Sequence, residues 1–217
     1  MMPPHHVTGK LGWIEVICGC MFSGKTEELI RRVRRAQYAR QDYVVFKPHI
    51  DDRYSTHNVG SHSGQLLRSI QIDKADQILE RVGSAQVVGI DEAQFLGIEL
   101  VAVCETLANE GRRVLVAGLD QDFQGKPFEP IPQLLAVGEY ISKMLAICTV
   151  CGNPADRSQR MVAGADRVLV GASGSYEARC RMHWSPEPLE CRQQELALGR
   201  NLAPSPEDSV EPSVTGA

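Results

Sequence analysis

This 217-residue sequence has no long apolar run, a small net charge and few aromatic residues. No apolar stretch approaches the ~18 residues that a membrane-spanning helix needs, so we expect no membrane partner. The start of the chain, Met1–His6, has neither the basic end nor the apolar stretch of a secretion signal. The 23 Lys and Arg against 27 Asp and Glu give a net charge of −4, which argues against a surface that binds nucleic acid over its whole area.

Short apolar runs alternate with segments of helical periodicity in the first two thirds of the chain. The runs are β-branched and continuous, which is typical of strands buried on both faces of a parallel sheet: Trp13–Cys18, Tyr43–Phe46, Gln86–Ile90 and Val114–Gly118. Helices are predicted at Thr26–Arg40, Lys74–Val82 and Ile98–Glu110, with Gly111 as a C-cap. The alternation predicts an α/β fold with a doubly wound, mainly parallel sheet.

The composition changes near residue 148, where glycine and proline become frequent. Strand-like pieces follow at Gln159–Val162 and Arg167–Val170, in a segment too small for its own core without a staple. The last residues are polar and proline-containing, which is typical of a disordered tail. We therefore divide the chain into an N-terminal segment 1–11, a core 12–147, a smaller unit with its C-terminal extension 148–199, and a tail 200–217.

A phosphate-binding loop follows the first predicted strand. The pattern G-x-x-x-x-G-K-[ST] is formed by Gly19, Cys20, Met21, Phe22, Ser23, Gly24, Lys25 and Thr26. Its glycines let successive N–H groups turn toward phosphate oxygens, and the following helix adds its positive end. Lys25 is predicted to reach the β- and γ-phosphates of ATP, and the Thr26 hydroxyl to bind Mg²⁺.

Two carboxylates end the strand at Gln86–Ile90. Asp91 is predicted to stand on the metal side of the nucleotide site. Glu92 is placed in the crevice where open α/β sheets bind ligands, and it could activate water in a hydrolase or accept the proton of a substrate hydroxyl in a kinase. A surface acidic pair is the alternative, which the preceding phosphate loop makes less favourable.

Cysteine provides a second chemical signature. The seven cysteines are an odd number, and without a secretion signal we interpret them as thiols or metal ligands of a cytoplasmic protein. The spacing C-x₂-C at Cys148 and Cys151, then C-x₂-H at Cys180 and His183, predicts a structural Zn²⁺ site with no open position. A redox C-x-x-C and buried structural thiols are the alternatives. Four further cysteines lack such spacing and are interpreted as core or surface thiols: Cys18, Cys20, Cys104 and Cys191.

Several of these segments together resemble type II thymidine kinases over about residues 12–185. The similar segments are Gly19–Leu29, Asp51–Ser55, Asp91–Phe95, Leu119–Phe128 and the two zinc knuckles. The resemblance implies a P-loop, RecA-like core with a zinc-bound lasso, usually in a homotetramer with feedback binding of dTTP. It implies transfer of the γ-phosphoryl group of ATP to the 5′-hydroxyl of thymidine, and in principle of deoxyuridine, in cytoplasmic nucleotide salvage for DNA synthesis.

The resemblance also implies roles for individual residues. It makes Glu92 the general base and Asp91 a metal-side group, with Asp51 and Arg53 an acidic–basic pair near the metal and phosphates. Residues implied to contact thymidine are Met21, Phe95, Leu119, Phe123, Phe128, Ser158, Val170, Gly171 and Tyr176.

Departures from the family pattern are few. Cys20 replaces a frequent proline, His183 replaces a frequent cysteine, and residues 171–175 lack the charged residues often found there.

Two other functions fit parts of the pattern. One is a RecA-like zinc-containing ATPase acting on nucleic acid, and the other is a zinc-ribbon binding module with a regulatory nucleotide site. Both predict a basic, aromatic-rich zinc segment, whereas residues 148–183 contain one aromatic residue and no Lys. The arginines of residues 31–40 are interpreted as a solvated helix face, with a nucleic-acid-facing stripe as the alternative. We therefore expect no stable nucleic-acid partner.

Overall fold

Six strands form the central sheet of the computed structural model, which describes residues 11–49, 58–60, 66–162 and 174–188. In chain order the elements are β1 (Trp13–Gly19), α1 (Lys25–Tyr38), β2 (Tyr43–Pro48), β3 (Asn58–Gly60), β4 (Leu66–Arg68), β5 (Ile70–Ile72), α2 (Gln77–Arg81), β6 (Val87–Ile90), a 3₁₀ turn (Ala93–Phe95), α3 (Leu100–Asn109), β7 (Arg113–Gly118), α4 (Ile131–Val137), β8 (Tyr140–Met144), β9 (Ala146–Ile147), β10 (Pro154–Ala155), β11 (Arg157–Arg160) and β12 (Tyr176–Arg179). No helix within these ranges is long and apolar enough to cross a membrane.

The central sheet has the order β5-β2-β6-β7-β1-β8, and every neighbouring pair is parallel. This confirms the predicted parallel α/β sheet, including all four strands predicted from apolar runs. The sequence reasoning did not identify β5, β8 or α4. Strand β8 is at the sheet edge and none of its residues is fully buried, so it lacks the continuous apolar run that marks a central strand.

Two buried clusters fill the space between the sheet and its helices. Along β1, Ile14, Val16 and Cys18 belong to the larger cluster, which includes residues of α2, α3 and α4. Ile17 belongs to the other cluster, which contains the buried face of α1. Successive residues of a strand point to opposite faces, so this division shows that both faces of the sheet are covered.

Helix α1 carries the predicted apolar stripe, since Leu29, Ile30, Val33 and Ala36 are all buried. The prediction of a solvated arginine face is wrong for Arg32, which is 6% exposed. Its Nη1 donates to the fully buried carboxylate of Glu15 at 2.7 Å, and its Nε donates to Glu28 at 2.8 Å. The buried carboxylate of Glu15 binds Arg32 beneath α1, and the helical periodicity of α1 alone gives no sign of this partner.

The two later predicted helices are confirmed with shorter bounds. Helix α2 covers Gln77–Arg81 and α3 covers Leu100–Asn109. After α3 the chain turns at Gly111, whose φ is +86° and whose N–H donates to the carbonyl of Ala108 at 2.9 Å. Glycine is favoured here because a side chain is strained at positive φ.

Three two-stranded antiparallel pairs lie outside the central sheet: β3–β4, β9–β10 and β11–β12. Strand β11 ends at Arg160, so the strand predicted at Gln159–Val162 begins and ends two residues too late. The piece predicted at Arg167–Val170, the segment 1–10 and the tail 200–217 lie outside the described residues.

Candidate functional site

The phosphate loop connects β1 to α1 through two glycines at positive φ. Gly19 has a φ of +146°, and a Cβ there would stand 2.2 Å from the carbonyl oxygen of Met144. Gly24 caps α1 in the left-handed conformation, with a φ of +82°. The loop therefore has the glycine-dependent turn that the motif predicts, placed at the positive end of a helix.

Lys25 lies inside this loop and is 9% exposed. Its Nζ donates to the carbonyl of Cys20 at 2.7 Å, which folds the side chain back over the loop. Burial lowers the pKa of Lys25, while the negative charges of Glu92 and Asp91 oppose that change. The lysine and both predicted carboxylates therefore share one electrostatic environment.

Thr26 and Asp91 meet across the sheet. The Thr26 hydroxyl donates to Asp91 Oδ2 at 3.1 Å, and Asp91 is 5% exposed. The N–H of Asp91 donates to the carbonyl of Phe46 at 2.9 Å, which extends the ladder between β2 and β6 by one residue. Two oxygen ligands held at this distance fit Mg²⁺, which prefers oxygen donors.

Glu92 has a left-handed backbone, with a φ of +50°. Its Oε2 accepts a hydrogen bond from Gln94 Nε2 at 2.5 Å. Gln94 Oε1 in turn accepts from the N–H of Leu119 at 3.0 Å. Sequence reasoning assigned no role to Gln94, although it lies two residues after the carboxylate pair in the family-like segment Asp91–Phe95.

Several residues implied to contact the nucleoside are brought into pairs. The rings of Phe95 and Phe128 meet edge to face with centroids 6.2 Å apart. The Arg160 guanidinium lies 4.7 Å from the ring centroid of Phe123, and Arg160 is the β-ladder partner of Tyr176. Asp51, Arg53, Val170 and Gly171 lie outside the described residues.

A link between the segment that follows residue 148 and the phosphate loop was not predicted. The N–H of Met21 donates to Ser158 Oγ at 3.0 Å, and the thiol of Cys20 donates to the carbonyl of Ala155 at 3.3 Å. Cys20 also belongs to a buried cluster that includes Cys148 and Cys180. The phosphate loop is therefore packed directly against the segment that carries the metal ligands.

Cys148, Cys151, Cys180 and His183 converge as predicted, with their ligand atoms all within 4.8 Å of one another. Cys180 Sγ lies 3.2 Å from His183 Nδ1, and Cys151 Sγ lies 3.8 Å from Cys180 Sγ. Burial opposes ionisation of Cys148, but backbone N–H groups of Cys180 and Cys151 point at its sulfur and the pKa of Cys148 falls to about 6. Burial also opposes ionisation of Cys180, but hydrogen bonds with His183 outweigh it and lower the pKa of Cys180. Three sulfurs, two of them favoured as thiolates, and one imidazole nitrogen form a donor set that suits Zn²⁺.

Three of the four cysteines without metal spacing are buried thiols, as expected: Cys18, Cys20 and Cys104. Burial raises the pKa of Cys18 to about 11 and raises that of Cys104 further. Neutral thiols of this kind behave as small apolar side chains. Cys191 lies outside the described residues.

Comparisons with known proteins give one family. The family model "Thymidine kinase" matches residues 12–184. A thymidine kinase from Rhodothermus sp. (strain ITI 518) is 56% identical over 200 residues, which are 92% of this chain and 94% of that protein.

Similarity to two solved structures is much weaker. Domain III of the Thermotoga maritima replication initiation protein DnaA has a TM-score of 0.36 and 14% identity, covering 60% of this chain and 54% of that one. The Legionella pneumophila ATPase DotB has a TM-score of 0.37 and 12% identity, covering 65% of this chain and 43% of that one. At these TM-scores the similarity supports no inference.

Proposed function

The chain belongs to the thymidine kinase family and is an ATP-dependent thymidine kinase, and from this premise we propose which residues carry the transfer of the γ-phosphoryl group to the 5′-hydroxyl of thymidine. The observation that supports the assignment is the hydrogen bond from the Thr26 hydroxyl to Asp91 at 3.1 Å, which brings the residue after Lys25 to the carboxylate before Glu92. A phosphate-binding cation and a proton acceptor thus stand at one place. This arrangement suits phosphoryl transfer to an alcohol.

The phosphate loop, Gly19–Thr26, binds the triphosphate of ATP. Its amides and Lys25 stabilise the charge that spreads over the transferred group in the transition state. Thr26 and Asp91 would hold the Mg²⁺ that accompanies ATP, which would supply further neutralisation of phosphate charge. Asp51 and Arg53 are proposed to act beside them, on the strength of the family resemblance.

Glu92 is proposed as the general base. An alcohol holds its proton too tightly at neutral pH for a carboxylate to remove it outright. Glu92 therefore orients the 5′-hydroxyl and accepts its proton late, as the new oxygen–phosphorus bond forms.

The nucleoside is proposed to bind among the apolar side chains that follow β6 and β7. The edge-to-face contact of Phe95 and Phe128 and the burial of Phe123 support a rigid apolar wall. The other proposed contacts are Met21, Leu119, Ser158, Val170, Gly171 and Tyr176. The lid, proposed to begin at residue 148, would exclude water and so suppress hydrolysis of ATP.

The Cys₃His cluster is proposed to hold a structural Zn²⁺. Its four protein donors leave no position for water or substrate, so the metal takes no part in phosphoryl transfer. Its role is to order the lid segment, which is too short to form a core of its own.

The Glu92→Gln variant tests the assignment. We expect it to bind ATP and thymidine normally and to lose on the order of 10²–10⁴ in kcat, because an amide cannot accept the proton. The measurement is thymidine-dependent ADP release. In parallel reactions deoxyuridine replaces thymidine as the acceptor, and stimulation of ADP release by single-stranded DNA would instead indicate the alternative nucleic-acid-dependent ATPase. Glu99→Gln, at an exposed glutamate before α3, is the control and should keep full activity. Unchanged kcat in Glu92→Gln would remove Glu92 from the mechanism.

Assembly, feedback and location form the remaining part of the proposal. A homotetramer and feedback binding of dTTP are supported by family membership. A cytoplasmic location is supported by the odd cysteine number and by the six described cysteines, none of which forms a disulfide. Light scattering measures the subunit number, and inhibition of ADP release by added dTTP measures the feedback.

A further inference from the structure

We propose that Gln94 is a positioning residue that fixes the carboxylate of Glu92 against the nucleoside pocket; this inference rests on the proposed role of Glu92. Gln94 is 4% exposed and lies in the 3₁₀ turn at Ala93–Phe95, directly after β6. Its amide joins Glu92 on one side to Leu119 on the other.

The direction of the Gln94 amide follows from its partners. The N–H of Leu119 can only donate, so the atom 3.0 Å from it is the amide oxygen. The amide nitrogen then faces Glu92, whose carboxylate can only accept when ionised. Each partner accordingly fixes one end of the Gln94 side chain.

The space for this amide depends on Gly118. A Cβ at residue 118 would stand 2.9 Å from Gln94 Oε1 and 2.6 Å from Ile131 Cδ1. Gln94 thus fills a close-fitting gap beside the last residue of β7. A side chain confined in this way has little freedom to swing away from Glu92.

The Gln94 side chain connects two parts of the proposed site that are distant in sequence. Glu92 follows β6, whereas Leu119 follows β7 and opens the segment that carries Phe123 and Phe128. Through Gln94, the proton acceptor is held at a fixed place relative to the wall proposed to contact the nucleoside. Holding the proton acceptor at a set distance from the 5′-hydroxyl raises the rate of transfer, because small displacements of catalytic groups lower kcat.

The test is a double-mutant cycle with Gln94→Met and Glu92→Gln. Methionine keeps the volume of the side chain and removes both hydrogen bonds. We expect Gln94→Met to lower kcat on the order of 10–100-fold, with KM for thymidine and for ATP changed by less than about threefold. In the Glu92→Gln background the same change should lower kcat by less than about threefold, because the group being positioned is already gone.

A second variant guards against a folding defect. Gln94→Glu keeps the acceptor for the N–H of Leu119 and replaces the donor to Glu92 with a second carboxylate, which repels Glu92. Its kcat at pH 7 should also fall. For the uncharged Gln94→Met, a thermal unfolding midpoint and a thymidine affinity near those of the unmodified chain show that the fold is kept.

The outcomes separate the two proposals. Full kcat in both Gln94 variants overturns the inference. Equal losses from Gln94→Met in both backgrounds also overturn it, because Gln94 would then act without Glu92. Undiminished kcat in Glu92→Gln alone instead overturns the proposed base.

Discussion

Replacing Arg32 by methionine is expected to destabilise the chain by about 3 kcal/mol, although Arg32 takes no part in the reaction. Glu15 is fully buried, and its carboxylate accepts hydrogen bonds from Arg32 at 2.7 Å, Arg113 at 2.5 Å and Trp13 at 2.8 Å. Removing one partner of a buried ion pair costs roughly 3–5 kcal/mol. The lower end applies because Arg113 and Trp13 still reach Glu15.

The neighbouring arginine is a matched control. Arg31 pairs with Glu28 at 2.6 Å, but its side chain is 43% exposed. An exposed pair of this kind contributes only about 0.5 kcal/mol. Arg31→Met should therefore leave stability nearly unchanged, although it removes the same chemical group one position away on α1.

The penalty should depend on pH with a definite sign. Burial by itself raises the pKa of Glu15, but the hydrogen bonds and charges of Arg113, Trp13 and Arg32 outweigh it and the pKa lies below the ordinary value of 4.5. A lowered pKa gives stability that is complete above pH 4.5 and is lost as pH falls through the folded-state value. The difference between Arg32→Met and the unmodified chain should thus be constant near pH 7 and shrink below about pH 4.5.

Urea or thermal unfolding at one fixed protein concentration measures these differences. For a chain of this length, about 3 kcal/mol corresponds to a fall of roughly 6–12 °C in Tm. If Arg32→Met and Arg31→Met lowered Tm equally, the buried pair would have no special energetic role and the reasoning would be refuted.

Two further predictions concern the phosphate loop and the metal cluster. Lys25→Met should lower kcat/KM for ATP on the order of 10²–10³-fold and leave thymidine affinity unchanged by calorimetry, because only phosphate charge loses its partner. The exposed Lys74→Met is its control, and equal activity of the two variants would contradict the assignment. Cys151→Ala should reduce bound zinc from about one per subunit to none by elemental analysis, while Cys104→Ala keeps it. Retained zinc in Cys151→Ala would exclude that ligand set.

The central strands could be predicted because a strand buried on both faces is marked by a run of contiguous apolar residues. A strand covered on both faces must be apolar throughout, and Val87–Ile90 is such a run. Strand β8 could not be predicted in the same way, because an edge strand needs no continuous apolar run. Its Lys143 is half exposed and pairs with Asp120 at 2.8 Å.

The phosphate loop and the candidate metal ligands could also be predicted from the sequence, since their chemistry depends on fixed short spacings. A backbone turn around a phosphate requires Gly19 and Gly24 at set positions, and a zinc knuckle requires two ligands three residues apart. The burial of Arg32 could not be predicted from the sequence, because it depends on Glu15, which lies seventeen residues away in sequence.

The alternation of apolar runs with helical segments determined the fold class from the sequence alone, and the glycine and cysteine spacings determined the phosphate loop and the candidate metal ligand set. Only the tertiary structure decided which distant groups meet. It joined Gln94 to Leu119, Met21 to Ser158 and Thr26 to Asp91. The physical reason is that spacing encodes contacts along one element, whereas contacts between elements depend on how the sheet and its helices pack.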